Sequence, residues 1–208
     1  MHEAVPGGPA AAACADLAVE VAGVQDAARV VDVIACAFAA DPTWSWAFPV
    51  PEMRMRWWQL SVDGALRYPW VLRTRDFEAV SIWIPPDGTE LSAEDEARVP
   101  DLLTELVASR APEVAELLRR FGEAHPRQEP HYYLSLLGVA DGQRGRGLGM
   151  ALLKENLGRI DAEGMPAYLE SSNPLNNRKY EALGFVPVVS FRAPGDGPMV
   201  TGMWRRGA

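Results

Sequence analysis

A segment rich in glycine and arginine is the part of the sequence best suited to bind an anion. It reads Leu137-Gly138-Val139-Ala140-Asp141-Gly142-Gln143-Arg144-Gly145-Arg146-Gly147-Leu148-Gly149. Glycines let backbone amides approach a ligand closely, and the first amides of a helix are unpaired and carry a partial positive charge. Arg144 and Arg146 add full charges for the same anion. The segment therefore predicts a phosphate-binding turn between a strand and a helix, although the glycines could also serve only to shape a helix start.

Two common nucleotide-binding motifs do not fit this segment. A P-loop requires lysine and then serine or threonine after its last glycine, and Leu148 follows Gly147 instead. A dinucleotide fingerprint requires a further glycine or alanine, and its two possible registers meet Met150 and Leu152 at that position. The pattern that does fit is Arg-x-x-Gly-x-Gly, which is formed by Arg144, Gly147 and Gly149.

A second informative segment follows the predicted strand at 167–171. Asn173-Pro174 stands at a predicted helix start, and the helix closes with Tyr180-Glu181-Ala182-Leu183-Gly184-Phe185. In their order and spacing the two segments resemble the signatures of the GNAT superfamily of N-acetyltransferases. The resemblance is closest over residues 131–185, and the amino-acid sequence of residues 168–173 is most similar to that of the puromycin N-acetyltransferase-like members.

The resemblance implies acetyl-CoA as the cosubstrate and no metal. It implies that the cofactor lies in an opening between the strand that ends at Val139 and the strand that starts near Ala167. Pantetheine amides would pair with the splayed strand at Leu137, Gly138 and Val139. The pyrophosphate would bind the amides of Arg144, Gly145, Arg146, Gly147, Leu148 and Gly149. Asn173 would hold the cofactor arm, and the same residue is equally suited to cap a helix.

For catalysis, the resemblance implies that Tyr180 is the general acid that protonates the departing thiolate. By itself a tyrosine at this position could equally be a core aromatic. Many GNAT enzymes carry a glutamate on the strand before the glycine turn, but residues 131–137 of this chain contain no carboxylate. The first candidate for the base is therefore Glu170, acting through water, and the second is His131, whose ordinary pKa suits proton transfer.

The acceptor is expected to be an amine of a small molecule, an antibiotic-like compound among the candidates. Trp44, Trp46, Phe48 and Trp83 are candidates to line its site, with Asp41 attracting a cation, although tryptophans near prolines also serve as packing residues. The acidic residues from Glu90 to Glu96 are interpreted as a solvated face. Two alternatives remain open, namely acetylation of a protein lysine or N-terminus and a non-catalytic CoA-binding module.

Around these motifs the chain alternates predicted strands and helices. Strands are predicted at 17–24, 70–74, 77–84, 132–139, 167–171, 185–191 and 199–204. Helices are predicted after Asp26, at 53–66, after Ser92, from Pro112, at 151–160 and at 175–183, with 44–49 as a packed loop. This alternation indicates a layered α/β domain with a mixed sheet. The GNAT resemblance implies a mostly antiparallel sheet of six or seven strands flanked by helices.

The amino-acid composition narrows the classes of protein to which this chain can belong. With 48% hydrophobic and 23% charged residues, the 208-residue chain is typical of a globular domain. We expect a flexible tail over 1–16 and a single acetyltransferase domain over 17–208. The net charge of -8 argues against nucleic-acid binding, and Cys14 and Cys36 are too few for a disulfide framework or a zinc cluster. No apolar run is long enough to cross a membrane. A cytoplasmic protein, monomeric or homodimeric, is expected.

Overall fold

A computed structural model describes residues 17–207 of the chain. The predicted tail at 1–16, with Cys14, lies outside the described residues. The strands are β1 (Val19–Val21), β2 (Val71–Thr74), β3 (Ala79–Ile84), β4 (Tyr132–Val139), β5 (Ala167–Ser171), β6 (Val186–Arg192) and β7 (Met199–Arg205). The helices are α1 (Ala27–Ala37), α2 (Pro42–Ala47), α3 (Pro51–Ala65), α4 (Ala93–Val107), α5 (Ala111–Ala124), α6 (Leu148–Ala162) and α7 (Asn177–Glu181).

The strands form a single sheet of seven, in the order β1-β2-β3-β4-β5-β7-β6. All neighbouring pairs are antiparallel except β4 and β5, which are parallel. Helix α6 connects these two parallel strands, as a parallel crossover requires. The predicted fold class, a mixed and mostly antiparallel sheet flanked by helices, is confirmed.

The sheet opens between β4 and β5. These strands pair only from Tyr132 opposite Ala167 to Leu134 opposite Leu169. On the other side of β4, Leu134 and Leu136 pair with consecutive residues of β3, so Ser135 is the extra residue of a β-bulge. A bulge bends and twists the strand that carries it. Beyond Leu134, the edge of β4 that faces β5 therefore lies open while its pairing with β3 continues to Val139.

Helices cover both faces of the sheet. Helix α6 packs on one face, where the Oδ1 atom of Asn156 accepts hydrogen bonds from Ser81 Oγ (2.6 Å) and Trp83 Nε1 (3.0 Å) of β3. Helices α1 and α3 pack on the other face, and the α4–α5 hairpin extends that layer. A side chain at Gly138 would lie 3.0 Å from Ile34 and Ala37, so glycine permits the close contact of β4 with α1.

The segment around Trp44 differs from the expectation of an irregular loop. Residues 42–47 form helix α2, because the Oδ1 atom of Asp41 accepts hydrogen bonds from the backbone amides of Thr43 and Trp44, both at 3.0 Å. Pro42 occupies the first helical position, where its missing amide costs nothing. The Asp-Pro pair that suggests the end of one helix is thus the start of the next.

Candidate active site

The glycine turn presents the beginning of α6 to solvent. Gly145 and Gly147 have φ angles of 80° and 78°, a region that residues with a Cβ rarely adopt. Gly147 is the residue before the first turn of α6, and no side chain caps this helix start. The first amides of the helix therefore lack both helical partners and a cap. A Cβ at Gly149 would lie 2.9 Å from Val139 Cγ2, so glycine also permits α6 to approach β4.

A cavity of about 440 Å³ runs along this turn. We call it the glycine-loop cavity. It is lined from β4, the turn, the start of α6 and the α7 region by Ala37, Leu137, Val139, Gln143, Arg144, Gly145, Gly147, Leu148, Gly149, Met150, Asn176, Lys179 and Tyr180. Most of the residues predicted to bind a cofactor are thus brought together around one space.

Three predicted cofactor residues lie outside this lining. Gly138 faces α1 rather than the cavity. Arg146 is exposed and donates a hydrogen bond to the side chain of Gln143. The Oδ1 atom of Asn173 accepts a hydrogen bond from the amide of Leu175 at 3.1 Å, which confirms its role as a cap. Contact of these residues with a cofactor stays a prediction.

A second, larger cavity of about 1060 Å³ adjoins the first. One of its walls is aromatic and contains Phe38, Trp44, Trp57, Trp58 and Phe121, so we call it the aromatic cavity. Residues that line both cavities mark where they meet, and these are Ala37, Leu137, Arg144, Asn176 and Tyr180.

Comparisons with known proteins agree with this geometry. No protein-family model matches the chain. An acetyltransferase from Corynebacterium glutamicum, described as histone acetyltransferase HPA2 and related acetyltransferase, is similar with a TM-score of 0.61 and 26% identity, covering 91% of this chain and 96% of that one. Arylalkylamine N-acetyltransferase 2 of Aedes aegypti is similar with a TM-score of 0.64 and 13% identity, covering 92% and 99%. A Desulfovibrio desulfuricans protein described as a GNAT-family acetyltransferase has a TM-score of 0.53 and 17% identity, covering 92% and 99%. This chain has the GNAT fold.

The sequence comparison reaches a smaller part of the chain. An uncharacterized N-acetyltransferase of Schizosaccharomyces pombe is 38% identical over 60 residues, which are 29% of this chain and 24% of that protein. The chain thus matches about a quarter of the length of this curated relative. Together the findings support an acetyltransferase of the GNAT type. The puromycin N-acetyltransferase-like subgroup is not confirmed and stays a prediction.

Of the aromatic residues predicted to line the acceptor site, Trp44 lines the aromatic cavity and the other three do not. Phe48 is fully buried and stacks with Trp44 and Trp57 behind the cavity wall. Trp46 lies outside the lining, with the guanidinium of Arg110 4.9 Å from its ring. Trp83 is fully buried on the α6 face of the sheet, so its placement does not support a role in acceptor binding.

Asp41 lines the aromatic cavity and also stabilises the structure, so its attraction of a cation stays a prediction. Besides capping α2, its carboxylate accepts a hydrogen bond from Ser172 Oγ at 2.7 Å, which ties α2 to the end of β5. Burial raises the pKa of Asp41 in spite of these hydrogen bonds. Its charge also acts on Tyr180, whose pKa is raised to about 12 by burial and by Asp41. The phenol is therefore protonated throughout the neutral range.

The two candidates for the base are part of one buried network. The side chain of Glu170 is 2% exposed, and its Oε1 atom lies 3.7 Å from Nδ1 of His125. Nε2 of His125 lies 3.2 Å from Nε2 of His131, whose Nδ1 lies 2.7 Å from the carbonyl oxygen of Glu129. Burial lowers the pKa of His131. Both ring nitrogens of His131 thus have partners, so its role as a base stays a prediction that would require one of them to be released.

The same network contains a buried oxygen without a partner. Among the described residues, Oε2 of Glu170 accepts no hydrogen bond of good geometry. Tyr133 lies nearby, and its pKa is raised well above the ordinary value by burial and by the charge of Glu170. Glu170, His125 and Tyr133 all line the aromatic cavity. A buried, unpaired carboxylate oxygen favours a ligand that can donate a hydrogen bond or carry positive charge.

Sequence reasoning missed several residues of the site, and His125, Glu90 and Lys179 are three of them. His125 follows α5 and reaches the cavity only through the packing of the α4–α5 hairpin, so no local pattern indicates it. Glu90 is exposed, as the interpretation of its acidic neighbourhood as a solvated face expects, but it also lines the aromatic cavity. Lys179 lines the glycine-loop cavity, and its position directly before Tyr180 could have identified it.

Between residues 17 and 207, no group of three or more histidine, cysteine, aspartate or glutamate side chains is arranged to hold a metal ion. Within the same part of the chain, no helix combines the length and apolar character needed to cross a membrane.

Proposed function

We propose that this protein transfers an acetyl group from acetyl-CoA to an amine of a small molecule. The observation that carries the proposal is the position of Tyr180, which lines both the glycine-loop cavity and the aromatic cavity. A reaction between a phosphate-bearing acetyl donor and a separate acceptor requires two adjoining sites with a proton donor between them. Tyr180 occupies that position.

The residues of the glycine-loop cavity fit the donor. The uncapped start of α6 offers unpaired amides to a pyrophosphate, and Arg144 and Lys179 place cationic groups beside the same space. The open edge of β4, at Leu137 and Val139, offers backbone groups to the amides of a pantetheine arm. This arrangement runs from the turn towards Tyr180, in the direction that would bring the thioester to the second cavity.

The chemistry assigned to Tyr180 is protonation of the sulfur. When the C–S bond of the thioester breaks, the thiolate needs a proton, and a phenol with a pKa of about 12 carries one at neutral pH. Because the pKa is raised, this proton is lost only as the pH rises through about 12. Deprotonation of Tyr180 should therefore contribute no limb to the pH profile in the neutral range.

The aromatic cavity supports an acceptor of small size. Its wall of aromatic side chains and its buried carboxylate, Glu170, are suited to an amine that carries apolar substituents. The name of the similar Aedes aegypti enzyme, an arylalkylamine N-acetyltransferase, describes acceptors of this kind. The alternative is acetylation of a protein lysine or N-terminus. The name of the similar Corynebacterium glutamicum protein, which includes histone acetyltransferase, describes an acceptor of this kind.

The test compares wild type with Tyr180→Phe in acetyl-CoA assays across a panel of primary amines, with lysine peptides included. We expect amine-dependent release of CoA and a kcat lowered by about 100-fold in the variant, the scale of general acid catalysis. The affinity for acetyl-CoA should change little, because the phenyl ring keeps its packing. Equal background rates for both proteins on every acceptor would instead favour a non-catalytic CoA-binding module. Turnover of the peptides alone would favour a protein acetyltransferase.

A further inference from the structure

The segment between β3 and α4 brings a carboxylate to the bulge of β4. Oε1 of Glu90 accepts a hydrogen bond of 2.5 Å from Oγ of Ser135, the bulge residue. Along β4, Val139 and Leu137 line the glycine-loop cavity, whereas Ser135 and Tyr133 line only the aromatic cavity. Because Leu137 lines both cavities, the donor and acceptor sides meet at this residue, and Glu90, which is hydrogen-bonded to Ser135, lies on the acceptor side.

The backbone of this segment is held in place by α3 and the residues that follow it. Gly64 of α3 touches it so closely that a Cβ would lie 2.2 Å from the carbonyl oxygen of Glu90. Arg67 donates a hydrogen bond of 2.7 Å to the carbonyl oxygen of Thr89, and the amide of Thr89 donates one of 3.0 Å to the hydroxyl of Tyr68. Glu90 is therefore positioned at its backbone by these contacts and at its side chain by Ser135.

The surroundings of Glu90 are those of a group that exchanges protons. Glu90 is exposed and lines the cavity, and desolvation by the protein around its carboxyl raises its pKa. The charge of Glu170 on β5 raises the pKa further, while the hydrogen bond from Ser135 and the charge of His125 lower it. Tyr133 of β4 also lies within the field of Glu90. A carboxylate with a raised pKa is a stronger base than an ordinary one.

Glu170, another of the acidic residues that line the cavity, is less suited to release a proton. The side chain of Glu170 is 2% exposed, so a proton that it took from an acceptor would have no direct route to solvent. Its Oε2 atom, which has no hydrogen-bond partner, instead offers an acceptor atom within the same cavity. Besides Glu90 and Glu170, the cavity is lined by the acidic residues Asp41, Asp87, Glu96 and Glu129. This excess of carboxylates favours an acceptor that enters as an ammonium ion.

We infer that Glu90 is the general base of the acetyl transfer, an inference that rests on the proposed function. Glu90 takes one proton from the acceptor ammonium, and the freed nitrogen lone pair forms the N–C bond with the thioester carbon. The C–S bond then breaks, and the sulfur takes the proton of Tyr180. Of the three ammonium protons, one leaves Glu90 for solvent, one restores Tyr180, and one stays on the amide nitrogen.

The experiment measures kcat at saturating amine for Glu90→Gln, with Glu94→Gln as the matched control. Glutamine keeps the size of the side chain and still accepts the hydrogen bond of Ser135. Glu94 lies in the first turn of α4, exposed and outside the aromatic cavity. At neutral pH we expect Glu90→Gln to lower kcat by about 100-fold and Glu94→Gln to leave it unchanged. The defect should shrink above about pH 10, where a typical amine is already neutral.

A second variant tests the contact with the bulge. Removing the hydroxyl in Ser135→Ala takes away a hydrogen bond that stabilises the ionised carboxylate, so the pKa of Glu90 should rise. The rising limb of the pH profile should then move to higher pH, whereas a merely structural role would leave its midpoint unchanged. An unmoved midpoint would contradict the role assigned to Ser135 as a positioning residue.

The outcomes separate this inference from the proposed function. Wild-type turnover with an equally active Glu90→Gln, or with a defect that is constant across pH, would overturn the role of Glu90 alone. The role of Glu90 would also be overturned if Glu170→Gln, rather than Glu90→Gln, lowered kcat at neutral pH and regained it at high pH. We expect Glu170→Gln to raise KM instead. If wild type acetylated no amine, the proposed function itself would fail.

Discussion

Arg144 serves two purposes at the scale of single residues. Its guanidinium donates a hydrogen bond to the carbonyl oxygen of Cys36 in α1 and lies 3.2 Å from the carboxylate of Asp141. It also lines both cavities. Lys179 lines the glycine-loop cavity and contacts only its neighbour Asn176, at 2.9 Å, among the hydrogen bonds of the described residues. Removing either residue should therefore weaken anion binding, but with different effects on the fold.

We predict that Arg144→Ala and Lys179→Ala each weaken CoA binding by about 2 kcal/mol, roughly 30-fold in Kd, the scale of a hydrogen bond to a charged group. Arg144→Ala should also lower Tm, because α1 loses a contact, whereas Lys179→Ala should not. Calorimetric titration and thermal unfolding measure the two effects. Lys154→Ala, on the exposed side of α6, is the control. CoA affinities equal to that control would contradict the assignment of the glycine-loop cavity.

Among the elements, the start of α6 determines where an anion can bind. Gly147 precedes the helix with a φ of 78°, and a Cβ there would meet no atom within 4 Å. Gly142, in the same turn, has an identical φ and equally open surroundings. Only Gly147 lines the glycine-loop cavity. Comparing substitutions at Gly147 and Gly142 therefore separates the effect of backbone strain from the loss of ligand contact.

We predict that Gly147→Ala and Gly142→Ala lower the free energy of unfolding by a similar amount, about 1 kcal/mol, because alanine disfavours a left-handed backbone. For a chain of this size that corresponds to a Tm lowered by about 2–4 °C. Only Gly147→Ala should weaken CoA binding, since its methyl group enters the cavity. Equal CoA affinities for the two variants would show that the ligand does not touch the helix start.

Local signals explain which elements could be predicted. The glycine turn, the strand at 132–139 and the helix start after Ser92 each depend on neighbouring residues, and the structure confirms them. Helix α2 was missed because Asp41-Pro42 is compatible with both an end and a start of a helix. The hydrogen bonds of Asp41 to Thr43 and Trp44 decide between them, and the sequence alone does not display these.

For the whole molecule, the split between β4 and β5 brings together residues that are distant in sequence. The donor side is built mostly from residues 137–150 and 176–180, so its motifs could be recognised in order along the chain. The acceptor side combines Trp57 of α3, Glu90, His125 and Glu170, which only the assembled sheet places in one cavity. No pattern in the sequence reports such long-range neighbours. For that reason the sequence did not indicate that Glu90, although exposed, lines the same cavity as Glu170.

Calorimetric titration of the wild-type protein with acetyl-CoA, at near-physiological salt, tests most directly whether the opening between β4 and β5 binds the acetyl donor. We predict saturable binding to a single site per chain. Ligand at about 100 times Kd should then stabilise the fold by about 2.7 kcal/mol. Absence of any binding heat, together with a Tm unchanged by saturating acetyl-CoA, would contradict the assignment of the glycine turn and the acetyl transfer built on it.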